Sequence, residues 1–241
     1  MFDSKKFFIT VSAVVALTAC SKGDEKTQVN SNETKSSQVT QKNEEEKKVP
    51  IVQKGDKSIP LENYQELKSG NQIMFAILAV DSMPIDYEVV ANALSQKYKY
   101  ENDEFKKKDM LGPLKMSIDA EIEKAKSNKY YYMEIDGGLE KYDFESKSFG
   151  VPEFSNSVQY RYFNDNSAWT CSYSNPQNYR KLVVADESVA RTIEGMRSKY
   201  QAIRISVYFY ANEVEIGKPK LNAEIMRVKI ADRKGNLLAE M

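Results

Sequence analysis

Ile203-Arg204-Ile205-Ser206-Val207-Tyr208-Phe209-Tyr210 decides the fold class of this chain. Ile203, Ile205, Val207 and Phe209 recur at every second position, with Arg204, Ser206, Tyr208 and Tyr210 between them. Successive side chains of a strand point to opposite faces, so a period of two marks a strand with one face on a core. The same reading extends outward through the second half of the chain. Tyr130-Tyr131-Tyr132-Met133-Glu134-Ile135, Tyr160-Arg161-Tyr162-Phe163 and Ala168 to Tyr173 are further strands. Leu182-Val183-Val184 precedes Asp186, which is placed to cap a helix carrying Val189, Ile193, Met196 and Tyr200 inward. Leu221 to Ile230, Asp232-Arg233-Lys234-Gly235-Asn236 and Leu237-Leu238-Ala239 read as a closing hairpin. Gly235 fits a turn of about three to five residues rather than two.

Upstream of Lys129 the period changes. Ser58-Ile59-Pro60-Leu61-Glu62 has the form of a helix start, with a capping residue and proline in the first turn. Ile73 to Val80 is apolar on all sides and predicts a buried helix. A second helix begins near Pro84 and puts Tyr87, Val90, Ala91, Leu94 and Tyr98 on one face. In a third, Leu111, Leu114, Ile118, Ile122 and Ala125 recur at three- and four-residue steps, with Gly112-Pro113 marking its start or a kink. Helices first and strands later predict an α+β fold: N-terminal helices packed on a mainly antiparallel sheet in one domain, residues 59–241.

The first twenty residues address the chain elsewhere. Lys5-Lys6, the apolar run Phe7 to Leu17 and the small residues before Cys20 follow the order of a secretory signal peptide. The run is about half the roughly 20 residues that a membrane-spanning helix needs. Leu17-Thr18-Ala19-Cys20 resembles a bacterial lipobox, in which the cysteine receives lipid, palmitate included, and begins the mature chain. The resemblance implies a signal peptide over residues 1–19 and a membrane anchor at Cys20. Ser21 in the next position implies transport to the outer membrane, on its periplasmic side. Residues 20–58 are polar and almost free of aliphatic side chains, a composition that cannot bury enough apolar surface to order itself. They are expected to form a tether with a coil span of roughly 35 Å.

Composition excludes several chemistries. The 241 residues hold 35 basic and 35 acidic side chains, so nothing draws the chain to the phosphates of nucleic acid. The absence of histidine removes Ser–His and Cys–His nucleophile pairs and the commonest catalytic zinc ligand. No glycine loop for phosphate or dinucleotide occurs, so no cofactor is expected. Asp232-Arg233-Lys234-Gly235-Asn236 lacks the alternating acids of a calcium loop, so no metal site is expected either. Cys171, the second of two cysteines, reads as a small buried apolar side chain or, failing that, as one half of a bridge to another chain. Carboxylates are plentiful at Asp119, Glu121, Glu123, Glu134, Asp136, Glu140 and Asp143, and glycan hydrolysis needs only two at a suitable separation. No pair stands out by spacing, and no catalytic residue is assigned.

The tyrosines are the remaining pointer. Tyr130, Tyr132, Tyr208 and Tyr210 are the binding candidates, because in the strand from Ile203 the tyrosines lie opposite the aliphatic face. An exposed tyrosine face could stack on sugars or anchor a protein. The plainer expectation is that a helix covers it and the hydroxyls find internal partners.

Asn102-Asp103-Glu104-Phe105-Lys106, Tyr142-Asp143-Phe144, Ser148-Phe149, Tyr160-Arg161-Tyr162-Phe163-Asn164 and the Asp232–Asn236 turn together resemble a family of bacterial envelope proteins, a domain of unknown function. The resemblance covers most of the chain after Leu61 and implies no catalytic residue. The expected function is a membrane-anchored, non-enzymatic accessory or interaction module, with an envelope protein or cell-wall glycan as partner and no nucleic acid. The alternatives are a carboxylate-dependent hydrolase of envelope glycans and an immunity-type lipoprotein.

Overall fold

The computed structural model describes residues 53–155, 160–215 and 218–241, apart from the side chain of Asp136. The signal segment, Cys20 and most of the expected tether lie outside them. The described chain is an α+β domain in which a helical layer packs on one face of a mixed, mainly antiparallel sheet.

Residues 58–62 do not start an α-helix. Pro60 leads into a single 3₁₀ turn at Leu61–Asn63, after which the chain extends into β1 (Gln65–Glu66). Leu61 and Tyr64 are drawn onto the sheet, and that packing overrides the local helix signal. α1 (Gly70–Val80) is capped by Ser69, whose hydroxyl accepts the Gln72 N–H. It is apolar all round because it faces two ways. Ile73, Ala76 and Ile77 join the sheet core, while Met74 joins the helices.

α2 (Tyr87–Leu94) is capped by Asp86, and Ser95 breaks the chain and caps the short α3 (Gln96–Lys99). α4 (Glu104–Ser127) starts well before Gly112-Pro113, at the Asp103 cap, and carries Pro113 in its interior. The proline is tolerated because both it and Gly112 are on the exposed side. Val90, Ala91, Tyr98, Ile118 and Ile122 close the helical layer over Met74.

The strands follow: β2 (Tyr130–Gly137), β3 (Tyr142–Asp143), β4 (Ser148–Gly150), β5 (Tyr160–Arg161), β6 (Thr170–Tyr173) and β7 (Lys181–Val183). Asp186 caps α5 (Glu187–Ser198), and its side chain accepts the N–H groups of Ser188 and Val189. Ala190 and Ile193 are buried, but Tyr200 is not turned inward as expected. It lies beyond the helix in the left-handed region (φ 53°) and is 97% exposed, because the helix has already ended at Ser198.

β8 (Ile203–Val214), β9 (Lys220–Asp232) and β10 (Leu237–Glu240) complete the chain. The main sheet runs β1-β2-β8-β9-β6-β5, with β10 also on β9, and β3-β4-β7 form a small second sheet. β1–β2 and β6–β9 are parallel; the other pairings are antiparallel. The closing turn has Gly235 at φ 87°, and the Asp232 carboxylate accepts the N–H groups of Lys234 and Asn236. Ile203, Ile205, Val207 and Phe209 are all buried, as the alternation predicts, and α1 packs over this face.

Two irregularities in the β8–β9 ladder shape the opposite face. Tyr208 pairs with Arg227 and Phe209 with Ile225, so Met226 is an extra residue in β9. Ala211 pairs with Ala223 and Glu213 with Asn222, so Asn212 is an extra residue in β8. Such bulges re-aim side chains without breaking the sheet.

Candidate binding surface

The tyrosine face is built by register. β2 and β8 pair Tyr130 with Tyr210 and Tyr132 with Tyr208, directly opposite each other. The two rings of each pair lie 5.0 Å and 5.2 Å apart, the second pair stacked. Tyr64 stands edge-on to Tyr130 and Tyr208, with centroids at 5.2 Å and 5.3 Å. Met226, delivered by its bulge, joins Tyr64 and Tyr210 in the same cluster. Aromatic pairs in these geometries contribute beyond the area they bury. The result is a ledge of five tyrosines and a methionine, with Tyr130, Tyr132 and Tyr208 half-buried.

Among the described residues, no helix covers this ledge as expected. The helical layer lies against the aliphatic face, since α1 packs with Ile205, Val207 and Phe209 through Ile73 and Ile77. The ledge is instead crossed by a strap, residues 53–58, which ends in a turn where the Ile59 N–H donates to the Asp56 carbonyl, followed by the 3₁₀ turn. The Gly55 N–H donates to a Glu224 carboxylate oxygen at 3.0 Å, and the Asp56 N–H donates to the Tyr130 hydroxyl at 2.9 Å. The Gln53 carbonyl accepts from the Asn212 side chain at 3.3 Å, and the Tyr210 hydroxyl donates to the Gln53 side chain at 3.3 Å. A Cβ on Gly55 would stand 2.6 Å from the Met226 sulfur and 2.7 Å from the Tyr210 Cβ. Only glycine permits this approach. Residues 53–58, assigned to the tether by composition, are thus held against the sheet.

Burial sets the electrostatics. Burial, joined at Tyr132 by donation to the Glu66 carboxylate at 2.9 Å, pushes the Tyr64 and Tyr132 hydroxyls up to about 12. Tyr208 and Tyr210 are also raised by burial. The hydroxyls therefore stay protonated, able to donate, through neutral pH. At the strap, the Ser58 hydroxyl and N–H both donate to Asp56 and hold its carboxyl below the usual range.

The other sequence candidates are scattered. Asp119 accepts the Tyr87 hydroxyl, Glu121 and Glu123 pair with Lys124 and Lys126, and Glu134 stands 3.5 Å from Arg204. Asp143 closes the β3–β4 turn by accepting from Ser146. Glu140 is exposed beside Gly150, and the side chain of Asp136 lies outside the described residues. Cys171 is fully buried in the core, and burial pushes its thiol up to about 12, as a small apolar side chain would sit.

Two features were not legible from sequence. A half-buried ion pair joins Glu153 to Arg161 of β5. An open, mainly apolar groove of about 530 Å³ runs between the end of α1, α2 and Trp169, with Met83 and Val89 at its rim. No helix among the described residues is long and apolar enough to cross a membrane. Comparison with known proteins finds no matching family model, no matching curated protein and no matching solved structure.

Proposed function

We propose that the protein is a lipid-anchored envelope module that acts by binding, through its tyrosine ledge, rather than by catalysis. One observation carries the reading. The ledge already holds a chain segment by side-chain contacts, mostly to its backbone, with the Tyr130 hydroxyl accepting from Asp56 N–H and the Tyr210 hydroxyl donating to the Gln53 side chain. Tyrosine is well suited to this work, since it gives large contact area and a polar end at low entropic cost. The seven carboxylates weighed for hydrolysis, as far as they are described, instead serve ion pairs, a turn and a tyrosine contact, or stand exposed.

The anchor in this reading is Cys20 after Leu17-Thr18-Ala19, with Ser21 favouring the outer membrane on its periplasmic side. The envelope-family resemblance agrees with that location. The partner is an envelope protein. In-cell photocrosslinking from position 208 of the full-length chain, followed by mass spectrometry, tests the proposal. One abundant protein, captured by the anchored form and lost in the Cys20→Ala variant, supports it. Retained glycan fragments without a protein partner would replace it with wall binding or glycan cleavage.

A further inference from the structure

We propose that the ledge is a recognition site for a glycine-containing peptide segment of a partner protein, and that residues 53–58 occupy it in cis as an internal pseudo-ligand. The inference rests on the interaction reading above and gives that site its ligand class.

The first argument is what the sheet reads. Three of the four described hydrogen bonds to the strap engage its backbone: Gly55 N–H to Glu224, Asp56 N–H to Tyr130 and Gln53 C=O to Asn212. Backbone groups are common to every peptide, so these contacts are open to any chain that lies in the same register. The fourth engages the Gln53 side chain through Tyr210. The one stringent requirement is at Gly55, where a Cβ would collide with Met226 and Tyr210. The site therefore specifies a segment with glycine at one position and tolerates variation around it.

The second argument is how the sheet is built. Both extra residues of the β8–β9 ladder touch the strap: Met226 underlies Gly55, and Asn212 holds Gln53. Two bulges have re-aimed two side chains to one chain segment, a device associated with sites rather than with sheet stability. Asn212 Oδ1 is also buried with no partner among the described residues. It stands ready for one more N–H than the strap supplies.

The third argument is that the strap is weakly fixed. Gln53, Lys54, Asp56, Lys57 and Ser58 are exposed, and Gly55 alone is half-buried. None of the six contributes a core side chain. Displacing the strap costs a few hydrogen bonds and leaves the hydrophobic clusters whole. A competing peptide then replaces each contact in kind. Because the strap is tied in cis at an effective concentration of roughly millimolar, it sets the threshold a partner must exceed.

The test uses the full chain in the Cys20→Ala form and its Gly55→Val and Gly55→Asp variants. The second places a carboxylate beside Glu224 as well as adding a Cβ. The probe is a labelled peptide with the sequence Gln53–Pro60, and a matched peptide with valine for its glycine is the control. Hydrogen exchange reads the strap, and fluorescence anisotropy reads binding. In both variants the amides of residues 55 and 56 should lose protection while those of β8 and β9 keep it. The glycine peptide should then bind the variants at least about tenfold more tightly than the parent, and the valine peptide should bind neither. A released strap with no peptide binding overturns the proposal. So does equal binding to parent and variants, or retained protection at 55 and 56. If the peptide fails while crosslinking from position 208 still captures a protein, the interaction reading survives and the pseudo-ligand is wrong.

Discussion

At the scale of single residues, chemistry is decided by who stands opposite whom. Tyr130, Tyr132, Tyr208 and Tyr210 were legible as one face of alternating strands, and the register puts them in two directly opposed pairs. What covers them was not legible. The strap's composition is polar, and its attachment depends on Met226 and Asn212, whose placement comes from bulges that alternation cannot signal. The pH dependence belongs at this scale. Tyr64 and Tyr132 have hydroxyls raised from 10 to about 12, so the folded state favours the neutral phenol. Their contribution is fully present below pH 10 and is lost as pH rises from 10 to 12, because the unfolded chain releases these protons first. Tyrosinate absorbance against pH should show a late-titrating set whose ionisation coincides with loss of near-ultraviolet circular dichroism. Titration of all the tyrosines together near 10, with the fold intact, would contradict the burial. In the core, Phe209→Ala should remove about 3–5 kcal/mol, measured by urea unfolding, since this fully buried ring packs against both Tyr131 and Tyr173.

At the scale of elements, local signals located most helices and strands but not their limits. α1 was read from its apolar run and α5 from apolar periodicity behind an Asp186 cap; that cap is made as read, while the Ser69 cap of α1 was not read. α4 was read too short because Gly112-Pro113 is a strong local stop. Long-range contacts decide otherwise: Met110 and Leu111 pack beside Ile118 and Ile122 on the helical core, so the helix continues through the proline. The signal that was available is Asn102-Asp103-Glu104, a cap followed by an acidic first turn. Pro113→Ala should therefore stabilise the domain, by up to about 3 kcal/mol, because it restores a backbone hydrogen bond in a helix interior. A thermal melt that is unchanged or lower would mean that the proline itself is needed for packing. Asp103→Ala should cost about 1 kcal/mol, since the Asp103 side chain accepts the N–H groups of Phe105 and Lys106. β3 and β4 escaped notice because two- and three-residue strands are too short to show any period.

For the whole molecule, the class was readable because the two halves of the chain carry different periods. Helices then strands gave α+β, and the layer of α1, α2 and α4 on the aliphatic face of the sheet is that class. The sheet order was beyond reach, since the parallel pairing of β6 with β9 joins segments about fifty residues apart that share no turn signal. Membrane attachment is tested at this scale. In the proposed anchoring, Cys20→Ala moves the protein from the membrane fraction to the soluble one. A variant that stays with membranes after a high-salt wash would show that something other than lipid holds it.

β9 has a consequence for the order of assembly. It is flanked by β8, β6 and β10, so three strands have no complete ladder until it arrives. Its residues 220–232 follow α1 to α5 and β2 in the chain. A polypeptide emerging in that order can form α1 to α4 first, but its main sheet must wait until Asp232 has emerged. During that interval the apolar side of α1, with Ile73 and Ile77, has nothing to rest on. Closure through such distant pairings is slow by its topology. A truncation before Lys220 should therefore yield an aggregating chain rather than a smaller domain.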